Sequence, residues 1–307
     1  MEGPTLVTPR IGFIVDGDMT RWPADKVIQV LAEAGAQSID WGIAHFDPLA
    51  DRPRVLLDLV ARSQQAGMGV GQFVVAEDFV TLDPAAWQER VLRTKRAIDA
   101  CAEAGIGSID VITGPQRWNP DALEVGVDLS EFEAWGLAFR ALESVLSHAA
   151  NTSVKVSLEP VWGTLARSAY RADYALTKLQ HPSLGLTVDP SHFVLTRDDM
   201  AGFIRRWHSI VTHVHLKDAA GQEGAQDRDF VFLMPGEGLV DWESFFHELS
   251  AAKYEGPLTV EFESKRLLKQ VLHGSWAAAV KLSISVARAL VLGDTERETV
   301  LATKELQ

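Results

Sequence analysis

The chain has 307 residues, 47% of them hydrophobic and 23% charged, enough to bury the core of one barrel-sized domain of about 250 residues. A formal net charge of -13 opposes any polyphosphate partner, so nucleic acid is excluded as an expected ligand, whereas a divalent cation with a neutral substrate suits it. Cys101 is the only cysteine, which excludes an intrachain disulfide, and no run reaches the roughly 18 apolar residues of a membrane span.

Met1 to Arg10 hold Pro4 and Pro9 but no basic stretch followed by an apolar one, so no signal peptide is expected and the protein reads as cytoplasmic. From there short apolar runs alternate with segments of helical period, the pattern of a parallel sheet with crossover helices. The first strand is expected over Arg10 to Val15, followed by a helix with Val27, Val30, Leu31 and Ala34 on one face. Gly35 closes that helix before strand two, Ser38 to Ile43, and Gly67 closes the next before strand three, Gly69 to Val75. Asp83-Pro84 starts a helix that ends at Gly105, ahead of strand four, Ser108 to Ile112. Strands five to seven are expected over Val154 to Leu158, Leu184 to Val188 and Thr212 to Leu216. A helix with Trp242, Phe245, Phe246 and Leu249 on one face precedes strand eight, Pro257 to Phe262. One long helix, Leu267 to Leu290, and a charged tail from Gly293 complete the chain. Eight such runs predict an α/β fold, a (β/α)8 TIM barrel in a single domain over residues 1–307, with the barrel at about 10–292 and a tail at 293–307. The irregular stretches Gly114 to Asp128 and Asp218 to Gly238 both follow strands, which puts them on the active-site face of a barrel as candidate lids.

Strands five to eight finish alike: Glu159, Asp189, His215 and Glu261 each place an ionisable group at the end of an apolar run. Such groups are costly to desolvate unless something compensates them. Three carboxylates converging on one cavity would repel, and a divalent cation between them removes the repulsion. Three carboxylates and one imidazole form a hard donor set, which favours manganese, magnesium or cobalt, with zinc as the alternative. His213 and His215 point the same way on a strand, and the one nearer the C-terminal end reaches the mouth, which favours His215. Glu261 and Glu263 share a face for the same reason.

Ser157-Leu-Glu-Pro160, Asp189-Pro-Ser-His192, His213-Val-His-Leu-Lys-Asp218 and Pro235-Gly-Glu-Gly238 together resemble the xylose-isomerase-like sugar phosphate isomerase/epimerase superfamily. The similarity is most specific from Glu159 to Glu261 and weak before about Gly105. It implies a single divalent metal held by Glu159, Asp189, His215 and Glu261, with family position favouring Glu261 over Glu263. It also implies that Glu159 and Glu261 are the catalytic acid/base pair, acting from opposite sides of a small polyhydroxylated substrate through a metal-stabilised enediolate. His192 is then expected to contact a substrate oxygen or to cap and pack beneath its loop. Lys217 is expected either to stabilise an oxyanion or to pair with Asp218. Arg228 faces a substrate group or solvent. Trp162 and His45, with Trp41 and Trp118, form an apolar wall against the substrate or serve packing.

The activity so implied is that of a metal-dependent isomerase or epimerase of a sugar, sugar phosphate or related polyol. A dehydratase of a cyclic polyol, inosose dehydratase-like, is the alternative. A phosphodiesterase of the endonuclease IV type is disfavoured, because Asp227-Arg-Asp229 lacks the expected histidine and the acidic balance opposes DNA. Relatives of this kind are often dimers or tetramers, which leaves a homo-oligomer open.

Overall fold

A computed structural model describes residues 9–224 and 228–292. The tail read from Gly293 therefore lies outside the described residues. The first half of the chain runs through β1 (Ile11–Ile14), α1 (Ala24–Glu33), β2 (Ser38–Gly42), α2 (Pro53–Gln65), β3 (Gly69–Val74), α3 (Pro84–Ala104), β4 (Ser108–Val111) and α4 (Glu131–Ala149). Next come β5 (Lys155–Leu158), α5 (Ala169–Leu179), β6 (Leu184–Val188), α6 (Pro190–Thr196), α7 (Met200–Trp207) and β7 (Val211–Leu216). An antiparallel hairpin of β8 (Asp218–Glu223) and β9 (Arg228–Leu233) follows, then α8 (Trp242–Ala251), β10 (Leu258–Val260), α9 (Lys265–Gln270) and α10 (Trp276–Leu292).

Eight strands close in the order β1-β10-β7-β6-β5-β4-β3-β2, which is the (β/α)8 barrel expected from the eight apolar runs. Helices α1 to α5 and α10 form where apolar residues recur at helical spacing. Val27 and Leu31 on α1, for example, are completely buried, and each such side chain contributes roughly 1.5–3 kcal/mol. The helix punctuation follows the chemistry of the residues concerned. Gly35, Gly67 and Gly105 all adopt positive φ, and Asp83 accepts from the Ala85 amide at 2.8 Å. Among the described residues no helix is long and apolar enough to cross a membrane.

Two segments depart from expectation. The predicted helix over Leu267 to Leu290 is interrupted, because His273 and Gly274 both take left-handed backbone, φ 50° and 80°. The chain turns there, and α10 restarts at Trp276, whose ring meets Phe262 at 5.5 Å and whose Nε1 donates to Asp18 at 3.3 Å. The stretch Asp218 to Gly238, expected to be irregular, holds the β8–β9 hairpin instead. Its register is continuous from Asp218 opposite Leu233 to Glu223 opposite Arg228.

The barrel interior is polar at its centre. Asp40 accepts from the Gln72 amide at 3.0 Å and pairs with His213 Nε2 at 2.6 Å. Gln72 in turn donates to Thr187 at 3.1 Å. Gly71 makes this possible, since a Cβ there would stand 2.5 Å from Asp40 Oδ1 and 3.1 Å from the His213 ring. Above this layer lies the mouth.

Candidate metal centre and active site

Strand geometry sets the site. Side chains alternate on β7, so His213, His215 and Lys217 all face inward at successively higher levels. His213 is used by Asp40 in the layer below. His215, one level up, bonds Glu159 Oε1 through Nδ1 at 2.9 Å and lies 3.4 Å from Glu261 Oε2. Donor atoms from Glu159, Asp189, His215 and Glu261 all fall within 4.8 Å of one another. These are the four strand-end residues singled out in the sequence, now found on neighbouring strand ends of β5, β6, β7 and β10.

Lys217 sits at the centre of the carboxylates and is 1% exposed. Its Nζ lies 2.8 Å from Glu261, 3.0 Å from Asp189 and 3.0 Å from Glu263, with its directed hydrogen bond aimed at Glu263. The pairing with Asp218 considered from sequence is not formed. Asp218 instead accepts from the amides of Ala219, Gly236 and Val240 and from Trp242 Nε1, so it ties the hairpin base to the Gly236-Glu-Gly238 turn.

Asp189 serves two ends at once. Oδ1 caps α6 through the Ser191 amide at 2.8 Å, and Oδ2 faces Lys217 and, at 3.5 Å, His192 Nε2. His192 is buried beside it, with Nδ1 accepting from the Trp162 amide at 3.4 Å and its ring against Phe232. His192 packs beneath the loop and is among the residues that line the cavity.

The electrostatics are those of a crowded buried cluster. Burial pushes the Glu261 carboxyl up to about 8 against the opposing charge of Lys217. Burial acts the same way on Glu159, but the charge and hydrogen bond of His215 outweigh it and hold this carboxyl below its usual range. His215 resists the lowering effect of burial because Glu159, Glu261 and Asp110 surround it, and its affinity for a proton rises to about 10. Burial lowers His192 to about 4. Lys217 stays protonated, because Asp189, Glu261 and Glu263 overcome its desolvation.

Three buried polar atoms of this cluster lack a directed hydrogen bond. His215 Nε2 is buried with no hydrogen bond, and neither Asp189 Oδ2 nor Glu261 Oε2 receives a directed one, although both feel the charge of Lys217. Hard oxygen donors with one imidazole fit a divalent cation. Asp40, His213 and His215 also approach one another closely enough to hold an ion. That lower group fits less well, since both Asp40 oxygens are already engaged and neither Asp40 nor His213 lines the cavity.

The cavity at the mouth is about 450 Å³ and contains Glu159, His215, Lys217, Glu261 and Glu263 on its polar side. Its apolar side is a chain of rings: Trp118 meets Trp162 at 5.6 Å, Trp162 meets Phe230 at 5.1 Å, and Phe230 meets Phe232 at 5.3 Å. Trp162 therefore stands where the sequence reading placed an apolar wall. His45 does not line the cavity; its Nε2 bonds the Trp22 carbonyl at 2.9 Å and its ring packs on Trp41. Trp41 is buried behind the barrel wall, with its Nε1 donating to Ser63 on α2. Arg228 begins β9, and its side chain lies outside the described residues.

Sequence reasoning missed Phe230 and Phe232, because a stretch read as loop hides its alternation. It also passed over Asp16 and Asp110, which line the cavity. For Asp110 a signal existed: a charge at the inward position of the apolar run Ser108-Ile-Asp-Val-Ile112. Burial raises both carboxyls, and for Asp110 the charge of Glu159 adds to it.

Barrel and site together define a family, and the sequence matches one described as the xylose isomerase-like TIM barrel over residues 28–290. The chain belongs to that family. Among characterised relatives, the inosose dehydratase of Geobacillus thermodenitrificans is 27% identical over 142 residues, 43% of this chain and 48% of that protein. The chain thus spans about half the length of the inosose dehydratases it matches. The rhizopine catabolism protein MocC of Rhizobium meliloti is 25% identical over 255 residues, covering 78% of this chain and 75% of MocC. A solved L-ribulose 3-epimerase superposes with a TM-score of 0.67 at 19% identity, covering 97% of each chain, a likeness of fold.

Proposed function

We propose that the protein is a divalent-metal-dependent isomerase or epimerase acting beside the carbonyl of a sugar, sugar phosphate or related polyol, through an enediolate. The observation that carries the reading is the convergence of Glu159, Asp189, His215 and Glu261 within 4.8 Å at the edge of an open cavity. These four residues would hold the cation, which supplies positive charge to adjacent hydroxyl and carbonyl oxygens and so acidifies the neighbouring C–H.

The chain's own groups divide the remaining work. Glu159 and Glu261 come from strands separated by β6 and β7, and in this reading they would act on opposite faces of the substrate. With the cation held, Glu159 would be ionised and set as the base, and Glu261, taking up a proton from solvent between turnovers, would be set as the acid. Glu159 takes the proton from carbon and Glu261 returns one on the opposite face, which inverts the centre. Return to the former carbonyl carbon gives an aldose–ketose isomerisation. Lys217 braces Glu261 and Glu263 and adds a fixed positive charge beside the developing oxyanion. The aromatic side of the cavity excludes water from the intermediate.

A second reading, dehydration of a cyclic polyol, is supported by the relatives named inosose dehydratase. The two separate in one experiment. Incubation with free ketoses and cyclic ketopolyols in D2O is expected to place one deuterium on carbon with retention of all hydroxyls. Products lacking the elements of water favour the dehydratase, and absence of both exchange and turnover across the panel contradicts the proposed chemistry.

A further inference from the structure

Buried carboxylates with purely structural work in this barrel are fully engaged. Asp40 accepts from the Gln72 amide with one oxygen and bonds His213 with the other. Asp218 receives four N–H groups over its two oxygens. Asp110 is different. It is 1% exposed, and its Oδ1 has no hydrogen-bond partner. Leaving such an atom unpaired costs roughly 1–3 kcal/mol.

Its place in the barrel suggests what is missing. Asp110 pairs in register with Ser157, two residues before Glu159 on the adjacent strand, so it faces inward one level below the Glu159 carboxyl. It also lines the mouth cavity. Neither set of residues able to hold a metal includes it. His215 is bonded to Glu159, and among the described residues Asp110 forms no ion pair. A carboxyl that faces a cavity without a cation or N–H is matched by a hydroxyl, which it can bond as acceptor or as donor.

We propose that Asp110 is a substrate-contacting residue that binds a hydroxyl of the polyol at the inner end of the cavity and thereby selects which polyols the site accepts. This rests on the polyol-binding reading given above. The structural alternative, a carboxyl that merely fills the barrel centre, predicts changes in stability without changes in selectivity.

The test pairs Asp110→Asn and Asp110→Ser with the wild type, using full-length protein loaded with Mn2+. Metal binding is measured by calorimetry, and binding of free ketohexoses, cyclic ketopolyols and their singly deoxygenated analogues by quenching of tryptophan fluorescence, with Trp118 and Trp162 as reporters. Wild type should prefer a parent polyol over one particular deoxy analogue by roughly 10- to 100-fold, the range of a hydrogen bond to a charged group. Either variant that folds should retain its Mn2+ affinity within about 3-fold and lose most of that preference. Unchanged discrimination in a folded variant overturns the proposal, as does a wild type that binds Mn2+ but none of the panel. Failure of the wild type to bind Mn2+ strikes the metal-dependent reading itself, and Asp110 is then judged on the fluorescence titrations alone.

Discussion

Two carboxylate–histidine pairs lie one above the other in this barrel, both built on β7, and they have opposite characters. The lower pair, Asp40 with His213, joins strands on opposite sides of the barrel at 2.6 Å, and the second Asp40 oxygen is bonded to a backbone amide. The upper pair, His215 with Glu159, is longer at 2.9 Å, is crowded by Glu261, Asp110 and Asp189, and leaves His215 Nε2 unbonded beside an open cavity. Each histidine leaves one ring nitrogen unbonded, but His213 lies away from the cavity with its carboxylate partner fully engaged, whereas His215 lies on the cavity among further carboxylates. Access to the cavity and the gathering of three carboxylates, more than an unpaired ring nitrogen, separate the functional cluster from the structural one here.

The contrast is broken most sharply by neutralising the upper carboxyls. Glu159→Gln and Glu261→Gln should each lower turnover by about 10³-fold or more, as expected for loss of an acid/base group that also binds metal, while circular dichroism shows an unchanged fold. The lower pair should respond in the opposite currency. Asp40→Ala, which strands a buried histidine, is expected to cost roughly 3–5 kcal/mol in urea denaturation, with Mn2+ affinity of the folded fraction changed by no more than about 3-fold.

Protons sharpen the comparison next. Glu261, raised by burial to about 8, and His215, raised by its carboxylate neighbours to about 10, both bind protons more tightly folded than unfolded. Through these two groups the metal-free fold carries more protons than the unfolded chain between about pH 5 and 10 and loses stability as pH rises, while His192, lowered by burial to about 4, acts the opposite way below about pH 6.5. Metal must displace those protons, so its affinity rises across the same range. Thermal melts and calorimetric titrations at pH 6, 7 and 8 check both signs. Glu261→Gln should flatten the lower part of the stability curve.

The smallest expected effect concerns the hairpin. Glu223 on β8 meets Arg117 at 3.4 Å and Arg167 at 3.5 Å, linking the hairpin to the loops after β4 and β5. These partners are partly exposed, so Glu223→Gln should cost no more than about 1 kcal/mol, read as faster amide exchange over Phe230 and Phe232.

How much of this was legible beforehand depends on the kind of signal. The eight strands were readable because strands buried on both faces are short, apolar and bounded by glycine or capping residues. The four strand-end groups were readable because each is an ionisable residue in a position that disfavours it. His215 could be preferred to His213 from strand direction alone, and the structure shows why the two differ: His213 is taken by Asp40, which lies 173 residues away in sequence. Such long-range partners leave no local trace. Neither does the partner of Lys217, which turned from its neighbour Asp218 to three carboxylates on other strands. The β8–β9 hairpin was obscured by the glycines and charges of the sequence from Gly221 to Asp229, and the break at His273-Gly274 by the helical period that continues on either side of it.

The central claim, that the upper cluster is made for a cation, is tested most directly by calorimetric titration of metal-stripped protein with Mn2+. One equivalent per chain is predicted, with binding weakened by about 10²-fold or more in Asp189→Asn and His215→Ala and retained in Asp40→Ala. Absence of binding, or binding indifferent to Asp189 and His215, would contradict it.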